Sequence, residues 1–253
     1  MLFEFSAEVL AILLAAAFVA GFVDAIAGGG GLITLPVLML SGVPPVQALA
    51  TNKIQGMFGA GTAAFSYARS GHVDLKAQAP AALLAAAASF GGALLVTVLP
   101  TEWIRLILPV LLIGIALFFA LRPGLDDSDR SRRMSPLVFT LTAVPLVAGY
   151  DGLLGPGAGS FYMLAFVLLS GYGILKATAH TKLLNFASNV GGLIAFALVA
   201  QPLWLLGLAM GVVQIAGARL GAKMALKQGA KVIKPLLVLT SLSLAAKLLW
   251  EMF

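Results

Sequence analysis

Apolar runs follow one another along almost the whole of this sequence, and they limit what it can fold into. In the first half they cover about 5–26, a short 31–42, 46–68, 78–99 and 103–121. After a polar stretch at 122–135 they resume at 136–154, a short 159–171, 174–199, 203–222 and 233–250. The longer runs are near the ~20 residues that a helix needs to cross a bilayer. Only 10% of the residues are charged, against roughly 25% in a soluble domain. The expected fold is an all-α polytopic membrane protein. The first run begins near Phe5 beside the acidic Glu4 and Glu8, with no basic segment before it. It reads as a retained transmembrane helix and not as a cleaved signal peptide.

Long and short runs fall in the same order on both sides of the polar stretch. "LSG" at 40–42 recurs at 169–171, and "TNK" at 51–53 aligns with "HTK" at 180–182, both 129 residues apart. The glycines 28–31 align with "GPGAGS" at 155–160. An internal repeat is the economical reading, with halves at 1–121 and 136–253 joined by a charged linker at 122–135. Paired interrupted segments in two halves point to a transporter binding site.

Charge gives the orientation. Arg69, Lys76, Arg122, Arg130, Arg132, Arg133, Arg219, Lys223, Lys227, Lys231 and Lys234 cluster at 68–77, 122–135 and 219–234, whereas 99–103 and 199–203 carry no basic residue. Basic loops stay on the cytoplasmic side. The basic loop of one half corresponds to the bare loop of the other, so the repeat is expected to be inverted, with both termini periplasmic. The short runs 31–42 and 159–171 either cross fully or re-enter. The net charge of +6 reports this topology and not nucleic-acid binding.

"DAIAGGGGLITLP" at 24–36 breaks an apolar helix with four glycines. Non-helical chain at membrane depth survives only inside protein or beside a wet cavity. A helix restarting near Gly31 offers free amides and a positive dipole end. The second half restarts in the same way near Gly159 and Ser160. Two such ends facing each other would make an anion site that includes Gly29, Gly30, Gly31, Gly159 and Ser160. The plainer alternative is that the glycines only allow close helix packing.

Lys53 and Lys182 sit at matched places within apolar runs, where an unpaired charge is costly. Thr178, Thr181, Asn185 and Asn189 form a polar stripe around Lys182; Asn52, Gln55, Gly56 and Gly59 surround Lys53. The expected substrate contacts are therefore Lys53, Asn52, Lys182, Thr181 and Asn185, with Lys182 the stronger lysine. The alternative is structural pairing with Asp24 and Asp151, and Asp151 is the partner expected for Lys182. Asp24, Asp151 and His180 are candidate proton carriers, against helix capping for the aspartates and plain packing for the histidine. An intramembrane serine protease using Ser160 and His180 is a rival reading, but the first half has leucine where that serine would stand. "DDSDRSRR" in the linker reads as a solvated charge run. With no cysteine and two histidines, the chain offers no evident metal site and implies no cofactor.

"GFVDAIAGGGGLITLPVLMLSGVPPVQALATNKIQG" and "GYDGLLGPGAGSFYMLAFVLLSGYGILKATAHTKLLNFASNVGGL" resemble the two signature regions of the sulfite exporter TauE/SafE family, and the likeness extends over essentially the whole chain. The resemblance is to the subgroup with "GPGAGSF" and "KATAHTK". It implies transport of small sulfur-containing oxyanions such as sulfite, sulfonates or sulfoacetate, coupled to an ion gradient, the proton first among candidates, in the bacterial inner membrane. Pro156, Ala158 and Ser160 depart from the more glycine-rich pattern, which bears on the substrate more than the fold. A passive anion channel would use the same residues, and a non-transporting assembly factor would leave the lysines without purpose.

Overall fold

The computed structural model describes residues 5–96, 110, 113–122 and 125–250. The helices in order are α1 Ala7–Ala27, α2 Gly30–Leu40, α3 Pro45–Arg69, α4 Leu75–Leu95, α5 at 113–120, α6 Pro136–Leu141, α7 Ala143–Leu153, α8 Ala158–Leu168, α9 Ile174–Val199, α10 Trp204–Gln228 and α11 Ala230–Trp250. No strand occurs among the described residues. Much of the run expected at 103–121, and the bare loop at 99–103, lie outside the described residues.

Local chemistry sets the ends. Ser6 caps α1 through the Val9 amide, and Asp74 caps α4 through the amides of Lys76 and Ala77. Ser135 caps α6, with Pro136 at the first helical position, where its missing N–H costs nothing. The run expected at 136–154 is split at Thr142. Pro145 explains the split, because it has no amide for the Leu141 carbonyl and its ring crowds that oxygen. The run expected at 203–222 extends to Gln228, so Arg219, Lys223 and Lys227 lie on α10 and not in a loop. Lys227 lies in the last turn of α10, where the dipole favours a cation.

The linker departs from expectation in part. Its acidic residues are exposed, as expected of a solvated run, but Asp127 and Asp129 also cap helices. Asp127 accepts from the Leu175 and Ala230 amides, tying the starts of α9 and α11 together. Asp129 accepts from the Gly173 amide at 2.9 Å and pairs with Lys176 at 2.5 Å. Burial pushes the Asp129 carboxyl up, but the Lys176 contact and the Gly173 amide outweigh it and hold it below the usual carboxylate range. The Arg133 and Met134 amides both donate to the Leu169 carbonyl at the end of α8.

α1 packs on α10, and α7 on α4; α3 crosses α10, and α9 crosses α4; α3 and α9 lie against each other. α2 rests on α1 and α3, while α8 rests on α7 and α9. Exchanging the two halves leaves this pattern unchanged. Small residues allow the close crossings: Gly21 meets Gln214 and Ala218, and Gly217 meets Phe18. Among the described residues, five spans are long and apolar enough to cross a membrane: α1, α4, α6 with α7, α9 and α10. Large apolar side chains such as Leu83, Leu146, Leu198 and Leu239 face outward, whereas Lys53, Gln55, Asp151, Lys182 and Asn189 are buried. An apolar exterior around a polar interior identifies an all-α polytopic membrane protein.

Candidate functional site

Two helix breaks meet in the centre. α1 ends at Gly28, whose φ of 78° is the left-handed conformation, and α2 restarts at Gly30. α7 ends at Leu154, and α8 restarts after Gly157. The breaks touch through bare backbone: a Cβ on Gly28 would stand 2.7 Å from the Gly159 Cα, and one on Gly159 would stand 2.6 Å from the Gly28 Cα. The side-chain oxygen of Ser160 approaches the Ala27 and Gly28 carbonyls at 3.5 Å.

Beside this contact is a cavity of about 30 Å³, lined by Asp24, Gly28–Gly31, Asn52, Gly56, Asp151, Gly155, Gly157, Ala158, Gly159, Asn185, Asn189 and Gln214. That is room for about two waters. Its walls present donors. Gly31 and Gly159 are each the second residue of their helix, and their amides meet no acceptor among the described residues. Asn52 has its side-chain oxygen occupied by Thr34 at 2.6 Å and Gln55 at 3.0 Å. Asn185 has its oxygen occupied by Asn189 at 3.3 Å. The Asn52 NH₂ lies beside Gly31 at the cavity wall.

The lysines stand behind the aspartates. Lys53 donates to Asp151 Oδ1 at 2.7 Å and to the Asp151 carbonyl at 2.5 Å. Lys182 reaches Asp24 Oδ2 at 3.4 Å, and Asp24 Oδ1 accepts from the Gly30 amide at 3.2 Å. The pairing is crosswise between halves, so the expected pairing of Lys182 with Asp151 is corrected. It follows from the packing of α3 against α9, which carries each lysine across to the opposite break. Both lysines are almost wholly buried, at 1% and 0% exposed, and neither lines the cavity.

Of the residues singled out in the sequence, Gly29, Gly30, Gly31, Asn52, Asn185, Gly159, Asp24 and Asp151 come together at the cavity. Lys53 and Lys182 sit one layer behind. Thr181 is fully buried with no partner for its hydroxyl among the described residues, and Ser160 packs into the break contact. His180 is elsewhere, its ring against Tyr172 at 4.8 Å and Phe166 at 5.5 Å. Ser160 and His180 share no hydrogen bond among the described residues, and each has other neighbours, so the protease dyad does not form. Sequence reading missed Gln214, which lines the cavity and whose buried side-chain oxygen has no partner among the described residues. Its signal was an amide within an apolar run, followed three residues later by the small pair Gly217 and Ala218.

A buried polar cavity at two facing breaks, inside a bundle of apolar helices, is the architecture of a membrane transporter. Residues 13–248 match the family described as "Sulfite exporter TauE/SafE", and the chain belongs to that family. It is similar to "Probable membrane transporter protein ORF9" of a Sinorhizobium species, 56% identical over 96% of this chain and 93% of the relative. It is also similar to "Probable membrane transporter protein YfcA" of Escherichia coli K12, 46% identical over 99% of this chain and 93% of the relative. A Haemophilus influenzae "Probable membrane transporter protein" is 42% identical over 96% of each chain. No solved structure matches. The protein is thus a membrane transporter of the TauE/SafE family, with a transported small substrate, and not an enzyme.

Proposed function

We propose that the chain is a secondary transporter of small anions, with sulfur oxyanions such as sulfite or sulfonates as the favoured class, and that the central cavity is its site. The observation that carries this reading is a set of donors: the Gly31 and Gly159 amides at two helix N-termini, with the Asn52 NH₂ beside Gly31. Each helix start carries about half a positive charge, and the two Lys–Asp pairs cancel. The site is therefore positive without presenting a bare lysine. A cavity with room for two waters is an occluded state. Admitting an oxyanion requires the weaker pair, Lys182 with Asp24, to open, which frees Lys182 as a further contact and Asp24 as a proton acceptor for coupling.

The halves 1–121 and 136–253 act as inverted repeats around the 122–135 linker, in the bacterial inner membrane, with both termini periplasmic. The contact pattern and the basic-residue distribution support this. A cysteine placed at Ser128 should resist an impermeant thiol reagent in intact cells, and rapid labelling would reverse the topology. Counterflow tests the transport mode. Proteoliposomes loaded with unlabelled sulfite should accumulate labelled sulfite transiently. Equilibration without overshoot identifies a passive channel, and no movement of any sulfur oxyanion removes the substrate class.

A further inference from the structure

We infer, resting on the transport reading above, that a groove of about 730 Å³ beside α3 is the vestibule through which the anion reaches the central cavity, and that Asn189 and Gln214 are the gate between the two. Residues of α3, α9 and α10 line the groove, among them Met57, Phe58, Thr62, Phe186, Arg69 and Arg219. It begins one residue from the central cavity: Gly56 lines the cavity, and Met57 lines the groove. It extends to Arg69, in the last turn of α3.

Charge suits an anion. No carboxylate lines the groove, and neither Arg69 nor Arg219 has a carboxylate partner among the described residues. Both side chains are exposed. A positive mouth over apolar walls concentrates anions through its field, wherever the two side chains swing.

Packing locates the gate. A Cβ on Gly92 would stand 2.0 Å from the Gly149 carbonyl oxygen, one on Gly152 1.9 Å from that of Ser89, and one on Gly191 2.0 Å from that of Ala86. At these points α4 meets α7 and α9 backbone to backbone, with nothing between them that can turn aside. α1 and α10 meet in the same way at Phe18 and Gly217. The glycines of α3 meet side chains instead. The nearest atom to a Cβ on Gly56 is Asn189 Oδ1, on Gly59 it is Gln214 Cδ, and on Gly61 it belongs to the Phe186 ring, each at 2.9 Å. Side chains change rotamer where backbone cannot. α3 is therefore the helix free to shift between α9 and α10, a small shear of packed helices. Asn189 and Gln214 also line the central cavity, so they fill the notches of α3 at the boundary between cavity and groove. Gln214 keeps a buried side-chain oxygen without a partner among the described residues, and it loses little by leaving its notch.

The chain has no cysteine, so Thr62→Cys reports on the groove and Asn185→Cys on the central cavity. Full-length variants in right-side-out and inside-out membrane vesicles are treated with impermeant methanethiosulfonate reagents carrying a sulfonate or an ammonium group. Thr62→Cys should react from one side only, and Leu83→Cys, on the outer apolar face, should not react. Arg69→Gln with Arg219→Gln should slow the sulfonate reagent at Thr62→Cys roughly tenfold relative to the ammonium reagent. Gln214→Ala should speed labelling of Asn185→Cys and leave that of Thr62→Cys unchanged. Sulfite counterflow should fall once Thr62→Cys is modified. An unreactive Thr62→Cys would mean a groove filled by lipid, and full counterflow after modification would put the groove off the path; either overturns the vestibule. Unaltered labelling of Asn185→Cys on adding Gln214→Ala overturns the gate. Charge-dependent labelling in a protein that moves no sulfur oxyanion supports the vestibule and removes the substrate class alone.

Discussion

Lys53 and Lys182 occupy matched places in α3 and α9, yet their pairs differ. Lys53 is held twice, by the side chain and the carbonyl of Asp151. That carbonyl is available because the Gly155 amide, which would otherwise take it, turns back to the Tyr150 carbonyl. On the other side the Asp24 carbonyl is occupied by the Gly28 amide, and the Asp24 side chain is divided between Gly30 and Lys182. The cause lies in the two breaks. The first has two residues between helices and needs Asp24 to satisfy the α2 amide. The second has four, and the Gly155 carbonyl satisfies the α8 start. A longer turn that caps itself leaves its aspartate to the lysine alone. One pair is thus held at two short contacts and the other at one longer contact.

Breaking the doubly held pair should have the largest effect. Lys53→Met strands a buried carboxylate, and losing one partner of a buried pair costs about 3–5 kcal/mol. Melting temperature in detergent should fall steeply, and adding Asp151→Asn should recover most of the loss. If Lys182→Met with Asp24→Asn behaves identically, the two pairs are equivalent and the comparison fails.

The break contact ranks next. Gly28→Ala combines a left-handed backbone with a Cβ driven into Gly159, a cost of roughly 2–4 kcal/mol. Gly31→Ala meets only ordinary contacts, with Asn52 Nδ2 at 3.4 Å. It should fold normally and lose anion binding, because the methyl group enters the cavity. Protein yield and gel filtration read the first substitution, and calorimetry with sulfite reads the second. Equal folding defects in both would show that the glycines serve packing alone.

Lys182→Met should destabilise by less than the Lys53 change, roughly 1.5–3 kcal/mol, as for a hydrogen bond to a charged group. Its main effect should be on sulfite affinity, about 30-fold or more by calorimetry, because a buried charge contact typically carries at least 2 kcal/mol. Unchanged affinity would give Lys182 the same structural role as Lys53.

The exposed pair gives the smallest effect. Asp129 has its carboxyl held below the usual range in the folded protein, so it stabilises above its unfolded value near 3.9. That contribution is lost as pH falls through the lower folded value. Wild type and Asp129→Asn should differ by about 0.2–1 kcal/mol above pH 5, and the gap should narrow as pH falls below about 4 toward the lower folded value. A melting series from pH 7 to 3 checks this, and a gap that widens on acidification would contradict it.

The helical architecture was legible in the apolar runs, and the two breaks in their glycines, because a bilayer tolerates few other patterns. The short helices α2 and α8 fell within two or three residues of the expected ends. Asn52, Asn185 and the two aspartates could be found because polar groups stand out in apolar sequence. The crosswise pairing could not be read, since it depends on how α3 and α9 cross and no spacing along the chain records that. Nor could the linker be read. Asp127 and Asp129 look like any exposed acids until the starts of α9 and α11 converge on them. Nor does the sequence show that the lysines stand behind the aspartates here, because residue type shows that a charge is buried but not which partner shields it.

Crosswise exchange also bears on assembly. Each half carries one lysine and one aspartate, and each satisfies its charges only with the other half. A half made alone would insert with both unpaired, so it is an incomplete protein and not a small domain. Two copies of such a half could satisfy the same two pairs as a dimer, and within one chain the two pairs are free to differ.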